Sequence, residues 1–105
     1  MRLPKELKFR YLTRRLEEVH LLESSLNEGD FTVAERVGHQ LKGNAVTFEV
    51  PQIAYIGHEM ERAAQKKDTE KLKALIKKLQ SSLESVRGHW LGSETPKEDF
   101  NDLRT

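Results

Sequence analysis

The chain of 105 residues contains no cysteine. It therefore forms no disulfide bond and offers no thiolate ligand to zinc, and a reducing compartment suits it. The sequence also lacks an apolar run long enough to span a bilayer, and its first residues lack the apolar stretch of a signal peptide. We therefore expect a cytoplasmic protein without a membrane partner.

The sequence has no excess of charge of one sign. Its 18 Lys and Arg residues nearly balance 17 Asp and Glu residues, which leaves a net charge of +1. A domain that binds nucleic acid ordinarily shows a basic patch, and no platform of aromatic residues for stacking bases is present. We therefore expect no nucleic-acid partner. A chain of this length forms one domain with one modest core.

Strand-like alternation is absent, and four segments instead repeat apolar residues at steps of three and four, the period of amphipathic helices. The short breaks between them make successive helices antiparallel neighbours. The pattern predicts an all-α fold, an antiparallel up-down-up-down four-helix bundle over residues 1–91, followed by a polar, flexible tail over residues 92–105. The residues before Tyr11 fit either the start of the first helix or a short extra N-terminal helix. The four helices are predicted near residues 4–27, 30–49, 51–67 and 69–90.

The second predicted helix, DFTVAERVGHQLKGNAVTFE, turns one histidine away from the core. At about 100° per residue, Val37, Leu41 and Phe48 fall roughly 160° to 200° from His39, so its imidazole faces solvent. We predict that the surface around this ring docks a partner protein, with Glu35, Arg36 and Val46 as contact residues. The outward stripe within about 60° of His39 comprises Glu35, Arg36, Lys42, Gly43 and Val46.

Two residues distinguish this stripe from an ordinary solvated surface. Gly43 in mid-helix costs about 1 kcal/mol relative to alanine, and its missing side chain leaves room beside His39 for a second molecule. The ammonium group of Lys42 can reach an anion carried on the ring. We therefore predict that His39 carries a phosphoryl group, with Lys42 as its countercharge. The three other histidines lack such neighbours and are interpreted as surface residues.

The string His39-Gln40-Leu41-Lys42-Gly43 resembles the motif of histidine-containing phosphotransfer (HPt) domains, the carriers between receiver-domain aspartates in bacterial and fungal phosphorelays. The resemblance extends from about Tyr11 to Trp90 and includes the order and spacing of the four helices. One position departs from the family pattern, because Glu49 rather than glycine follows Phe48 at the end of the second helix. The departure concerns how that helix is capped and leaves the motif intact.

The resemblance implies that His39 accepts a phosphoryl group from the phosphoaspartate of a receiver domain, or from a kinase, and passes it to another receiver. The implied partners are response-regulator receiver domains, a hybrid sensor histidine kinase, or both. The chain itself needs no cofactor, because the resemblance places Mg²⁺ in the aspartate cluster of the partner. Nothing in the sequence resembles a Gly-rich loop that cradles ATP phosphates. We therefore expect a phosphoryl carrier and not an enzyme.

Glu61 in the third predicted helix comes level with His39 when residues are counted equally from the loop between the two helices. In that position its carboxylate can accept the Nδ1 proton of His39 and leave Nε2 free to attack phosphorus. HPt-like domains of chemotaxis kinases, which this region resembles, carry a glutamate at the matching place. The alternative is an ordinary surface glutamate paired with Arg62 or Lys42.

Two other functional classes deserve comparison with phosphotransfer. A four-helix adaptor would bind a receiver or kinase domain without carrying phosphate. A metal-dependent oxidase would need two Glu-x-x-His pairs and further inward glutamates, whereas the sequence holds only the pair Glu17 and His20. We therefore predict no metal site, and acquisition of a phosphoryl label on His39 separates the carrier from the adaptor.

Overall fold

The computed structural model describes the backbone of residues 4–48 and 50–92 and the side chains of residues 4–44 and 50–90. This part of the chain is helical and contains no strand, so the prediction of an all-α fold is confirmed. None of its helices is long and apolar enough to cross a membrane. The helices are α1 (Lys5–Asn27), α2 (Thr32–Phe48), α3 (Pro51–Gln65) and α4 (Thr69–Gly92).

The four helices pack as a ring in which each helix contacts its two neighbours, with the α2–α3 pair in the closest association. Along the α2–α3 seam, Glu35 is joined to Gln65 and His39 to Glu61. Residue numbers therefore rise along one helix as they fall along the other, which defines antiparallel packing. The predicted up-down-up-down bundle is confirmed.

The first helix is continuous from Lys5 to Asn27, so no separate N-terminal helix precedes Tyr11 in the part of the chain that the structure describes. Pro4 stands immediately before the helix, and its carbonyl oxygen accepts the backbone N–H of Lys8 at 3.2 Å. Nothing between Lys5 and Asn27 breaks helical geometry, because this segment contains neither glycine nor proline. The predicted tail lies outside the described residues beyond Gly92.

The core consists of the apolar stripes that the periodicity predicts. On α3 the residues that recur at helical spacing and are predicted to face inward, Ile53, Ile56, Gly57, Met60, Ala63 and Ala64, are all buried. On α4 the sequence pattern allows either Leu75 or Ile76 as the inward residue, and both are buried. Trp90 is half-buried and packs against Tyr11, with 6.4 Å between the ring centroids. The largest fully buried side chains are Leu12, Leu22, Val37, Leu41, Ile53, Ile56, Met60, Leu72, Leu79 and Leu83.

The C-terminal ends of α1 and α3 have the same type of hydrogen-bonded cap. A different residue occupies the left-handed position in each. After α1, Gly29 has a φ of +77° and the N–H of Asp30 donates to the carbonyl of Ser25 at 2.9 Å. After α3, Lys67 has a φ of +56° and the N–H of Asp68 donates to the carbonyl of Ala63 at 2.9 Å. This left-handed position suits glycine and strains a residue with a β-carbon.

Replacing Lys67 with glycine should therefore raise the free energy of unfolding by up to about 1 kcal/mol, because the left-handed strain disappears. Urea unfolding at constant m-value measures the change. The matched control is Lys66→Gly at the preceding residue, which has right-handed φ and ψ of −91° and −2° and should lose stability instead. A Lys67→Gly variant that loses as much stability as Lys66→Gly would contradict the prediction.

Candidate functional site

His39 lies in the middle of α2 on the side that faces solvent. Its side chain is 69% exposed, whereas Val37 and Leu41 on the opposite side of the helix are completely buried. The predicted outward orientation of the imidazole is confirmed. The buried residues of α2 hold the helix against the core, so the backbone that carries the ring is firmly placed.

The Glu61 carboxylate of α3 joins His39 and Lys42 of α2. Oε2 of Glu61 lies 3.1 Å from Nδ1 of His39, and Oε1 accepts a hydrogen bond from Nζ of Lys42 at 2.8 Å. The contact with His39 and the contact with Lys42 that the sequence suggested for Glu61 are therefore both present, because each carboxylate oxygen has its own partner. The three side chains form one cluster across the α2–α3 seam.

The charge of Glu61 decides which nitrogen of His39 carries the proton. The hydrogen bond from Lys42 lowers the pKa of the Glu61 carboxyl, the contact with His39 lowers it further, and partial burial opposes both. Glu61 is therefore ionised at neutral pH and can only accept hydrogen bonds. The contact consequently requires a proton on Nδ1 of His39, which in the neutral ring leaves a lone pair on Nε2.

Gly43 leaves the backbone of α2 bare one turn beyond His39. Apart from its chain neighbours and the backbone of its own helix, a β-carbon added to Gly43 would have no atom within 4 Å, so this position is open on its outer side. Arg36 is exposed on the same helix, and half-buried Glu35 accepts a hydrogen bond from Nε2 of Gln65 at 3.2 Å. Val46, the remaining residue of the predicted outward stripe, has a side chain that lies outside the described residues.

Gly38, which helical periodicity does not single out, lies against Gly57 where α2 and α3 cross. A β-carbon added to Gly38 would lie 2.7 Å from the carbonyl oxygen of Gly57, and one added to Gly57 would lie 2.7 Å from the carbonyl oxygen of Gly38. The two helices thus meet backbone to backbone. The signal available in the sequence is the position of Gly38 next to His39, combined with the small residues Gly57, Ala63 and Ala64, which are buried on α3.

The remaining histidines are on the surface, as predicted. His20, His58 and His89 are exposed. The side chain of His20, considered above for a metal site with Glu17, is 87% exposed and lies 3.9 Å from Glu23. Within residues 4–48 and 50–92, no group of three or more His, Cys, Asp or Glu side chains is arranged to hold a metal ion.

The sequence that forms the four-helix bundle matches the model of a known family. A family model for the Hpt domain matches residues 10–89, which is most of the chain and includes His39, Lys42 and Glu61. The chain therefore belongs to the Hpt domain family. Comparisons with curated proteins and with solved structures found no match.

Membership of this family assigns the chain a phosphotransfer role in two-component signalling. Hpt domains are phosphocarrier modules rather than catalysts, and in phosphorelays they interact with receiver domains and kinases. The class of function is thereby established.

Replacing Lys42 with alanine should raise the pKa of the Glu61 carboxyl, because the hydrogen bond from Lys42 is the largest cause of its lowering. Since that pKa is lowered in the folded protein, the stability that ionised Glu61 contributes is complete above the ordinary carboxyl pKa and is lost as the pH falls through the lowered value. In Lys42→Ala this loss should be smaller and should be complete at a higher pH, because the folded-state pKa moves toward that of the unfolded chain. NMR titration of the side-chain carboxyl carbon of Glu61 measures this pKa in the wild type and in Lys42→Ala.

The matched control for this titration is Lys71→Ala on α4. Lys71 donates to Glu59 at 3.0 Å and lowers the pKa of Glu59, so its removal should raise the pKa of Glu59 and leave that of Glu61 in place. A Glu61 midpoint that stays unchanged in Lys42→Ala would show that the cluster does not form in solution.

Proposed function

We propose that His39 is the residue that carries the phosphoryl group, taking it from the phosphoaspartate of a receiver domain or from a kinase and giving it to the aspartate of another receiver. The observation that carries this assignment is the contact between Nδ1 of His39 and Glu61 at 3.1 Å. That contact favours the proton of the neutral ring on Nδ1, so the lone pair lies on Nε2 of an exposed imidazole. A nucleophile of this kind needs both an available lone pair and access for the phosphoryl donor.

The transfer step needs only the His39 ring and the phosphoaspartate of the partner. Nε2 of His39 donates its lone pair to phosphorus, and the bond between phosphorus and the aspartate oxygen breaks with its electron pair on the carboxylate. The ring then carries phosphorus on Nε2 and a proton on Nδ1, and its positive charge is stabilised by the Glu61 carboxylate. The reverse step returns the lone pair to Nε2, so the carrier is regenerated unchanged.

Lys42 supplies a positive charge one turn from the reacting nitrogen. Its side chain is 42% exposed and is held by Glu61 at 2.8 Å, which keeps the ammonium group near the ring before any phosphoryl group arrives. A phosphoryl group on Nε2 adds negative oxygens that this ammonium group can pair with. The Mg²⁺ of the receiver domain would supply further positive charge from the partner's side, and the rest of the catalysis is positioning.

The open backbone at Gly43 supports a docking role for this face of α2. A receiver must bring its phosphoaspartate within reach of Nε2, so the surface beside His39 must accept another backbone closely. Gly43 provides such an approach, because no atom outside its own stretch of helix lies within 4 Å of the position of its missing β-carbon. We propose Glu35, Arg36 and Val46 as further contact residues around the ring, with Arg36 available for charge pairing with acidic groups of the receiver.

The assignment of His39 predicts a single acid-labile phosphoryl label. Wild-type protein treated with phosphoramidate, or with receiver domains preloaded from acetyl phosphate, should gain one ³¹P signal typical of phosphorus on Nε2. His39→Gln should gain none, because it has no nucleophilic nitrogen at that position. The control His58→Gln removes another exposed histidine and should label like wild type. Binding of receivers without any label in the wild type would instead favour the adaptor function.

The docking role of Gly43 predicts that a larger side chain at this position slows phosphoryl transfer without lowering the stability of the fold. Gly43→Ala should be as stable as wild type or more stable by up to about 1 kcal/mol, because alanine is the better helix former. Gly43→Leu should also fold but should slow transfer from a receiver by blocking its approach. The control is Gly88→Leu at an equally open position of α4. Transfer at the wild-type rate by Gly43→Leu would refute the docking role.

A further inference from the structure

The glycine crossing between α2 and α3 is built from backbone atoms of the site itself. A β-carbon on Gly38 would lie 2.8 Å from the amide nitrogen of Glu61, and a β-carbon on Gly57 would lie 2.9 Å from the amide nitrogen of Lys42. The atoms that lie closest to the two glycines therefore include the main chain of two members of the His39 cluster. A change in spacing at the glycine crossing therefore also moves the backbone that carries Lys42 and Glu61.

No side-chain rotation can make room for a methyl group at this crossing. The obstructing atoms include the two glycine carbonyl oxygens and the two amide nitrogens, together with the β-carbon of Leu41, 2.7 Å from the position that a β-carbon on Gly57 would take. All of these are fixed to the helix backbones. Because non-bonded heavy atoms pack best at about 3.5 to 4.0 Å, an alanine at either position must push the helices apart by roughly 0.8 to 1.3 Å.

Such a separation would act on the two contacts of Glu61 unequally. The distance of 3.1 Å between Nδ1 of His39 and Glu61 would pass beyond the range of a useful hydrogen bond. The imidazole has only two rotatable bonds, so it follows the carboxylate less readily than a longer side chain does. The ammonium group of Lys42 stands on a flexible four-carbon stem, so it can follow the carboxylate and keep its contact.

We propose that Gly38 and Gly57 are positioning residues, whose backbone contact sets the distance over which Glu61 reaches His39 and so selects the Nδ1–H tautomer. The two glycines act through Glu61 and touch no reacting atom themselves. The consequence for phosphoryl transfer rests on the function proposed above for His39, whereas the control of the tautomer stands on the geometry alone.

The test compares four alanine variants of otherwise similar helical glycines. Gly38→Ala and Gly57→Ala place a methyl group in the crossing, whereas Gly43→Ala and Gly88→Ala place it in open space. The tautomer of His39 is read from its two ring ¹⁵N chemical shifts at mildly alkaline pH, where histidine rings are neutral. Wild type and the two controls should show the Nδ1–H form, and the two crossing variants should shift toward the Nε2–H form.

A crossing variant that unfolds at lower temperature but keeps the Nδ1–H tautomer would have a merely structural glycine, and the proposal would be overturned. Glu61→Asp gives a second route that leaves the crossing intact, because it shortens the reach of the carboxylate by one methylene group. It should lose the Nδ1–H tautomer as the crossing variants do. Retention of that tautomer in Glu61→Asp would show that the distance is not critical and would also overturn the proposal.

Labelling by phosphoramidate then separates the positioning role from the proposed function. In Gly38→Ala the labelling rate should fall by the same factor as the population of the Nδ1–H tautomer. A tautomer shift with an unchanged labelling rate would support the positioning role and refute the catalytic importance of the Glu61 contact. Absence of label in the wild type would refute the carrier function. The tautomer measurement would still decide whether the two glycines position Glu61.

Discussion

The close approach of α2 and α3 at Gly38 and Gly57 is the constraint on which the rest of the site depends. A side chain is a flexible spacer between helices, whereas two glycine backbones in contact give a distance that no rotamer change can alter. Glu61 belongs to the same turn of α3, so its carboxylate reaches across a seam of defined width. The two helices cost more to form with these glycines than with alanines, and the tight seam is what offsets that cost.

The Glu61 carboxylate can stay charged and hold both His39 and Lys42 because it is only partly withdrawn from water. Its side chain is 17% exposed, so its contacts with His39 and Lys42 are less weakened by solvent than those of a fully exposed pair. It is nevertheless accessible enough to remain ionised without the penalty of deep burial. A carboxylate in this intermediate setting can orient an imidazole while the ring itself stays open to another protein. The site thus combines a fixed side of the ring with a free side.

Much of this arrangement follows from periodicity and counting. The stripe of buried residues on α2 predicts the outward orientation of His39, and the short loop between two helices places Glu61 level with it. The position of Gly38 against Gly57 was not predictable in this way, because it depends on how two helices cross and not on the period of either one. Similarly, the choice between His39 and Lys42 as partners of Glu61 was a false alternative, since a carboxylate has two oxygens.

The position of the single tryptophan gives the molecule an optical probe that is separate from its chemistry. Trp90 packs against Tyr11 on the seam between α1 and α4, and Nζ of Lys8 lies 5.4 Å from the centre of its indole ring. The cluster of His39, Lys42 and Glu61 lies on the seam between α2 and α3. Tryptophan emission therefore reports on one half of the bundle while the imidazole nitrogens report on the other, and the same sample can reveal whether the two halves come apart together or in turn.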